Sequence, residues 1–402
     1  MKKRFYKNLV VAIVEGLEQI FHYSWQADDV VGKLLKSNSK WGSRDRRFIA
    51  SSIYETVRWY RLYYEIYGKK PATKEDWWHI LAISWTLEDI ELPDWEIYKD
   101  TDVEAILTKA EEVKKTRKFR ESIPDWLDNA GSMELGEEWD ATMHALNQPA
   151  RVCLRVNTLK TTRQKLQKAL AKENVETTVY DDVALLLNKR QKVTHTKCYQ
   201  KGLFEVQDVS SQEVAAFLDV KPYMHVVDAC AGAGGKSLHL AALMEDKGKL
   251  TALDIIEKKL KELNKRAHRA GAYLVHTKLI DDPSVVRNLS HTADRLLLDV
   301  PCSGLGVLRR NPDSKWKLTP DFAYHLKKIQ QDILQDYSNI CKVGGKMVYA
   351  TCSILPSENE LQVQEFLDSK KGKDFKFLEQ KTILPQDEGF DGFYMALLER
   401  IS

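Results

Sequence analysis

Five short apolar runs in the second half of this 402-residue chain each end in residues that can do chemistry. The first runs into Asp228-Ala-Cys230-Ala231-Gly232-Ala233-Gly234-Gly235-Lys236. The second ends at Asp254, the third at Asp281 and the fourth at Asp299-Val-Pro301-Cys302-Ser303-Gly304. The fifth ends at Tyr349-Ala-Thr351-Cys352-Ser353. Carboxylates accept hydroxyl hydrogen bonds or move protons, and an ionised thiol is a strong nucleophile. If the runs are parallel strands, these residues form one site, because open α/β sheets bind ligands outside the carboxyl ends of their strands.

The glycine segment narrows the ligand. Gly235-Lys236-Ser237 looks like the end of a phosphate-binding loop, but that loop needs a glycine where Cys230 stands. A dinucleotide fingerprint fails too, since Gly232, Gly234 and Gly235 have the wrong spacing and Ser237 occupies the third glycine position. Asp254 is placed to accept both hydroxyls of a ribose or to cap the next helix; the two roles are compatible. A glycine-rich first turn followed by an acid, without phosphate spacing, favours a nucleoside lacking phosphates, and S-adenosylmethionine fits.

The elements that must position these groups are strands over 225–229, 249–254, 274–280, 294–299 and 345–351, alternating with amphipathic helices. That alternation predicts a parallel sheet covered by helices on both faces. Before it, residues 151–158 alternate like a strand, 161–173 read as a helix, and short apolar runs lie near 176–186 and 203–206. They make a small α+β module.

The first 150 residues differ in composition. Residues 1–70 carry a net +7, residues 71–150 a net −11, and nine of the ten tryptophans fall before residue 140. Val10, Ile13, Val14, Leu17 and Phe21 form one helical stripe. Asp28 is expected to cap a second helix, and Ser43 to open a third running to about Tyr67. On that third helix Arg44, Arg47, Arg58 and Arg61 gather in a sector beside the apolar face, either a phosphate-contact surface or a solvated face with local ion pairs. The tryptophans read as core.

The whole chain carries only +3, with 43% hydrophobic and 30% charged residues, which excludes wholesale disorder. No apolar run reaches membrane-spanning length. The basic start Met1-Lys2-Lys3-Arg4 is followed by an apolar run cut short at Glu15, with no cleavage site, so a cytoplasmic location is expected. Six scattered cysteines offer no Cys-x-x-Cys pair, and neither a metal nor a disulfide framework is expected.

Taken together, Asp-Ala-Cys-Ala-Gly-Ala-Gly-Gly-Lys at 228–236, Asp-Val-Pro-Cys-Ser-Gly at 299–304 and Tyr-Ala-Thr-Cys-Ser at 349–353 resemble the Nol1/Nop2/Sun family of RNA cytosine-5 methyltransferases. Leu308 to Trp316 and Asp391-Gly-Phe-Tyr394 also resemble it. Residues 41–66 resemble the NusB-like RNA-binding domain of its bacterial member that methylates 16S ribosomal RNA, and Arg155-Val-Asn157 with Gln207 to Ser211 resemble its linking module. One departure is Gly232-Ala233, where the family usually shows Ala-Pro.

The resemblance implies a Rossmann-like S-adenosylmethionine-dependent methyltransferase fold over 222–402, a small α+β RNA-contacting module over 149–221 and an all-α NusB-like domain over 1–148. It implies that a thiolate adds to C6 of cytosine so that C5 can take a methyl group. The Pro-Cys dipeptide of DNA enzymes would indicate Cys302 as nucleophile; the family instead implies Cys352, with Cys302 assisting release and Asp299 acting on the base. Residues 230–236 (Cys230, Ala231, Gly232, Ala233, Gly234, Gly235, Lys236) would cradle the methionine part of the cofactor. Asp254 would take the ribose, and Asp281, or Asp282 if the alignment slips, the adenine. Arg309 and Arg310 could hold RNA phosphates, a simple surface loop being the alternative. The partner implied is RNA, with no membrane and no metal, and the chain is expected to act as a monomer. Rival readings are methylation of transfer RNA, a non-catalytic RNA-binding assembly factor, and a nicotinamide oxidoreductase.

Overall fold

A computed structural model describes residues 6–402, so Met1-Lys2-Lys3-Arg4 lie outside the described residues. The chain divides into two compact units: Met1–Gln148 with Leu308–Thr319, and Pro149–Val307 with Pro320–Ser402.

The first unit is helical. Its first helix, Lys7–Phe21, buries Val10, Ile13, Val14 and Leu17, the stripe expected from their spacing. The second, Ala27–Ser37, starts one residue before Asp28, which lies in its first turn instead of capping it. Asp28 accepts the Tyr54 hydroxyl. The expected third helix is two helices, Ser43–Arg58 and Tyr60–Tyr67. The break has a local cause. Continuing the helix would pair the Arg61 amide with the Val57 carbonyl. Instead the Arg61 amide donates to Ser122 Oγ at 2.9 Å, and the Val57 carbonyl accepts Trp316 Nε1 at 2.6 Å. Trp77, Trp85 and Trp139 are core residues, whereas Trp25 is 46% exposed beneath Lys33.

Residues 308–319 are integral to this unit. The Ala27 amide donates to Asp313 Oδ2 at 3.0 Å, and Lys315, fully buried, donates to Asn147 Oδ1 at 3.2 Å. Burial holds the Lys315 amine well below its usual pKa.

The second unit holds two sheets. The smaller is antiparallel, in the order β2-β3-β1-β4, from β1 (Cys153–Val156), β2 (Thr177–Val179), β3 (Ala184–Leu187) and β4 (Phe204–Val206). Leu166 and Leu170 of the helix Arg163–Ala171 pack on Leu154, Val156 and Phe204.

The larger sheet contains β5 (His225–Asp228), β6 (Lys249–Asp254), β7 (Val275–Leu279), β8 (Ala293–Asp299), β9 (Cys341–Thr351), β10 (Phe375–Ile383) and β11 (Phe393–Arg400). Its order is β10-β11-β9-β8-β5-β6-β7. Strands β5 to β9 are parallel, and β11 runs antiparallel to both β9 and β10. Alternate residues feed opposite faces, as the pleat requires. Val226, Leu250, Leu297 and Val348 pack with Leu260 and Leu263 on one face, and Val227, Leu253, Leu296 and Tyr349 with Leu334 and Phe366 on the other. The strand order reverses between β5 and β8, the switch point at whose carboxyl ends open α/β sheets bind ligands.

Candidate active site

Carboxylates and thiols stand together where the strands end. After β5 the backbone turns through Gly232 (φ +55°) and Gly234 (φ +88°), a conformation that disfavours any side chain, into the helix Gly235–Leu243. A Cβ on Gly234 would sit 2.5 Å from Leu263, so the loop also packs too closely for a larger residue.

Asp254 holds this loop from the end of β6: Oδ2 accepts the Gly232 amide and Oδ1 the Ile256 amide, both at 2.8 Å. Each carboxylate oxygen has a second lone pair, so ribose hydroxyls can still be accepted. At the end of β7, Asp282 accepts the Ser284 amide at 2.7 Å and holds the turn, while Asp281 stands exposed. That division of labour favours Asp281 for a ligand.

Asp228 is buried. Its Oδ2 accepts Ser237 Oγ at 2.6 Å, and Oδ1 has no hydrogen-bond partner among the described residues. Burial, with the like charge of Asp299 as a smaller cause, pushes its pKa up to about 7. A buried acceptor needs a donor, and a ligand ammonium at the glycine loop would supply one. Gly232 also leaves open space where a Cβ would stand. The residues present therefore fit S-adenosylmethionine.

Lys236 Nζ lies 2.7 Å from Asp299 Oδ2 and 5.0 Å from the centre of the Phe393 ring. Burial works against its charge, yet Asp299 first, and Cys352 and Asp228 behind it, raise its pKa. Cys230, in the same loop, is pushed well above the usual thiol range by burial and the surrounding carboxylates, which leaves it a backbone role.

Cys302 and Cys352 come together. Their sulfurs are 3.3 Å apart, and the Gly306 amide ties the two loops by donating to the Cys352 carbonyl at 2.9 Å. The hydrogen bond with Cys352, then burial, then the charges of Cys352 and Glu358, raise the Cys302 pKa well above the usual thiol range. Either sulfur can be the donor in this contact. All six cysteines are free thiols.

The arginine stripe does not survive intact. Arg44 and Arg47 are exposed, but Arg58 and Arg61 are only 5% and 7% exposed. Arg58 donates to the Arg309 carbonyl at 3.0 Å, and Arg61 to the Ile123 carbonyl at 2.7 Å while pairing with Asp125 at 2.9 Å. Arg309 is 3% exposed and donates to the Ala145 carbonyl at 3.0 Å, so it is a packing residue of the helical unit. Arg310 is half-buried. The three buried arginines satisfy carbonyls left over at helix ends and turns, which leaves no guanidinium among them for phosphate.

Sequence reasoning missed the braces behind the glycine loop. Arg155 of β1 donates to the Gly235 carbonyl at 2.9 Å, and Arg266 to the Ala233 carbonyl at 2.6 Å. Glu205 of β4 pairs with Arg266 at 3.0 Å and with Arg269. It also missed Glu358, 1% exposed, which accepts hydrogen bonds from the residues following both cysteines. Spacing could not reveal these residues, because their partners are backbone atoms and loops distant in sequence. A cavity of about 820 Å³ among the helices of the first unit contains none of the candidate residues. Among the described residues no group of three or more His, Cys, Asp or Glu could hold a metal, and no helix is long and apolar enough to cross a membrane.

Residues 215–399 match the family model described as 16S rRNA methyltransferase RsmB/F, and residues 123–194 match its ferredoxin-like domain. A probable ribosomal RNA small subunit methyltransferase B from Synechocystis is 35% identical over 69% of this chain and 67% of its own length. The chain thus spans about two thirds of the length of the curated relatives it matches. The crystal structure of PH0851 shares the fold at a TM-score of 0.83, with 23% identity over 100% of both chains. The structure of NSun6 from Pyrococcus horikoshii with SFG shares it at 0.64, with 21% identity over 70% of this chain and 99% of that one. The chain belongs to the RsmB/F family of 16S rRNA methyltransferases.

Proposed function

We propose that this protein methylates C5 of a cytosine in 16S ribosomal RNA, through a transient bond between Cys352 and C6 of the base. Family membership makes it an S-adenosylmethionine-dependent RNA methyltransferase. The observation that carries the covalent mechanism is the 3.3 Å contact between Cys302 and Cys352 beside the Lys236–Asp299 pair.

The cofactor supplies an electrophilic methyl group when bound. Residues 230–236 and Asp254 hold it, with Asp281 at the adenine. Cys352 forms the carbon–sulfur bond at C6, which drives electron density to C5. Asp299, fixed by Lys236, accepts a hydrogen bond from an N–H of the base, and the Lys236 ammonium faces the negative charge that builds there. Once the methyl group is on C5, a solvent water takes the C5 proton, the C5–H electron pair forms the C5–C6 double bond, and the carbon–sulfur bond breaks with its electron pair returning to Cys352. The Cys302 thiol then gives the departing sulfur a hydrogen bond. Arg44 and Arg47 remain the phosphate contacts of the proposed NusB-like domain. Three working parts, 1–148 with the inserted segment 308–319, 149–221 and the rest of 222–402, act in a cytoplasmic monomer.

The test is methyl transfer from labelled S-adenosylmethionine to small-subunit RNA, followed by bisulfite sequencing. Label at one protected cytosine is the expected result. Label only on transfer RNA would replace the substrate, and no label on any RNA would remove the activity.

A further inference from the structure

Both cysteines of the site are followed by serine, and the structure shows both serines on one buried carboxylate. Glu358 Oε2 accepts Ser303 Oγ and Ser353 Oγ, each at 2.5 Å. Its Oε1 accepts the Ser303 amide at 2.8 Å and Gln330 Nε2 at 3.0 Å. Gln330 Nε2 also reaches the Pro301 carbonyl at 3.0 Å, so the Pro-Cys302-Ser loop is gripped on both sides of its thiol. The neighbouring Asn359 takes the other loop: its Oδ1 accepts Thr351 Oγ1 at 2.5 Å and its Nδ2 donates to the Ser353 carbonyl at 3.2 Å. The Tyr349 hydroxyl anchors the turn by donating to the Glu358 carbonyl at 2.7 Å.

All four groups facing the Glu358 side chain are donors, and among the described residues it has no ion pair. Burying a carboxylate is costly unless its lone pairs are filled. Here they are filled by the two cysteine loops, which converge on it from different strands. An amide would remove the charge and turn one accepting oxygen into a donor. The Ser303 amide and Gln330 Nε2 cannot accept from it, and the two serine hydroxyls can accept only by turning their own hydrogens away.

We propose that Glu358 is a positioning residue that fixes the two cysteine loops at reacting distance, acting through Ser303 and Ser353. This rests on Cys302 and Cys352 being the reacting pair.

The experiment compares full-length wild-type protein with Glu358→Gln in two assays. The first is the rate at which diamide, a two-electron thiol oxidant, joins Cys302 to Cys352, read by mass spectrometry of the linked peptides. The second is methyl-transfer kinetics. Wild type should cross-link readily, and the folded variant at least roughly tenfold more slowly. Its kcat should fall about 100-fold, while KM for S-adenosylmethionine stays within about threefold, since misplacement by about 1 Å has effects of that size. If Glu358→Gln fails to fold, the double variant Ser303→Ala/Ser353→Ala keeps the carboxylate and should change both readouts in the same direction. An unchanged cross-linking rate in either folded variant, or a wild type that does not cross-link, overturns the proposal. A wild type that cross-links but transfers no methyl group removes the functional reading and leaves the positional one to the cross-linking rates.

Discussion

Buried charge is organised differently in the two compact units. In the helical unit, Arg58, Arg61 and Arg309 direct guanidinium groups at the carbonyls of Arg309, Ile123 and Ala145. In the sheet unit, Asp228 keeps an unpartnered buried oxygen and shares its surroundings with Asp299, a like charge. The first arrangement closes off its charges and holds helices together. The second leaves charge unbalanced, and imbalance of this kind is a physical mark of a ligand site. Arginines on a helix and acids at strand ends therefore carry different weight. A helix face is the same whether solvent or a neighbouring segment covers it, whereas a strand end in an α/β sheet has one general use.

Four perturbations would break or sharpen that contrast. The largest effect is expected inside the strand-end cluster: Lys236→Met should lower kcat by about 10²–10³-fold, because it strips Asp299 of its partner in a desolvated site. Single-turnover rates would show it, and a change under tenfold would demote the pair to packing. Next come Arg58→Gln and Arg61→Gln, each expected to lower unfolding free energy by about 1.5–3 kcal/mol in urea titrations, as loss of a charged donor from a buried carbonyl does. Their RNA-binding salt slope should stay at the wild-type value. A reduced slope with unchanged stability would return them to the RNA surface. For the exposed pair the signs reverse: Arg44→Gln with Arg47→Gln should weaken RNA binding about tenfold and reduce the slope of log K on log salt by roughly 0.7 for each phosphate no longer neutralised. Thermal stability should not move.

The smallest effect concerns pH. The folded pKa of Asp228, about 7, lies above the ordinary carboxylate value, so between the two the folded state binds the extra proton. Unfolding free energy from this group therefore falls as pH rises from about 4 to about 7 and stays low above that. Asp228→Asn should flatten this dependence and raise the melting temperature of cofactor-free protein at pH 8 by a few degrees. A pH profile identical to wild type would contradict the assignment.

The contrast also explains what the sequence could reveal. Strands ending at Asp228, Asp254 and Asp299 were legible because short β-rich runs and their acidic ends are local signals. The thiol pair was legible through the resemblance of residues 299–304 and 349–353 to a known family. Other features were set by distant partners. Nothing near Trp59 marks a helix break, since Ser122 and Trp316 create it by taking the hydrogen bonds the helix would have made. Phe393–Arg400 is rich in helix-forming Met, Ala, Leu, Glu and Arg, yet pairing with β9 and β10 on both sides makes it a strand. Glu358 reads as an ordinary surface acid until the two serines meet it. The same holds for Arg155, whose partner is a carbonyl in the glycine loop.

The most direct test separates the two thiols. Cys302→Ala and Cys352→Ala proteins would each be incubated with small-subunit RNA and S-adenosylmethionine, then run on a denaturing gel. Cys302→Ala should retain RNA as a covalent band and Cys352→Ala none. A covalent band from Cys352→Ala would contradict the account.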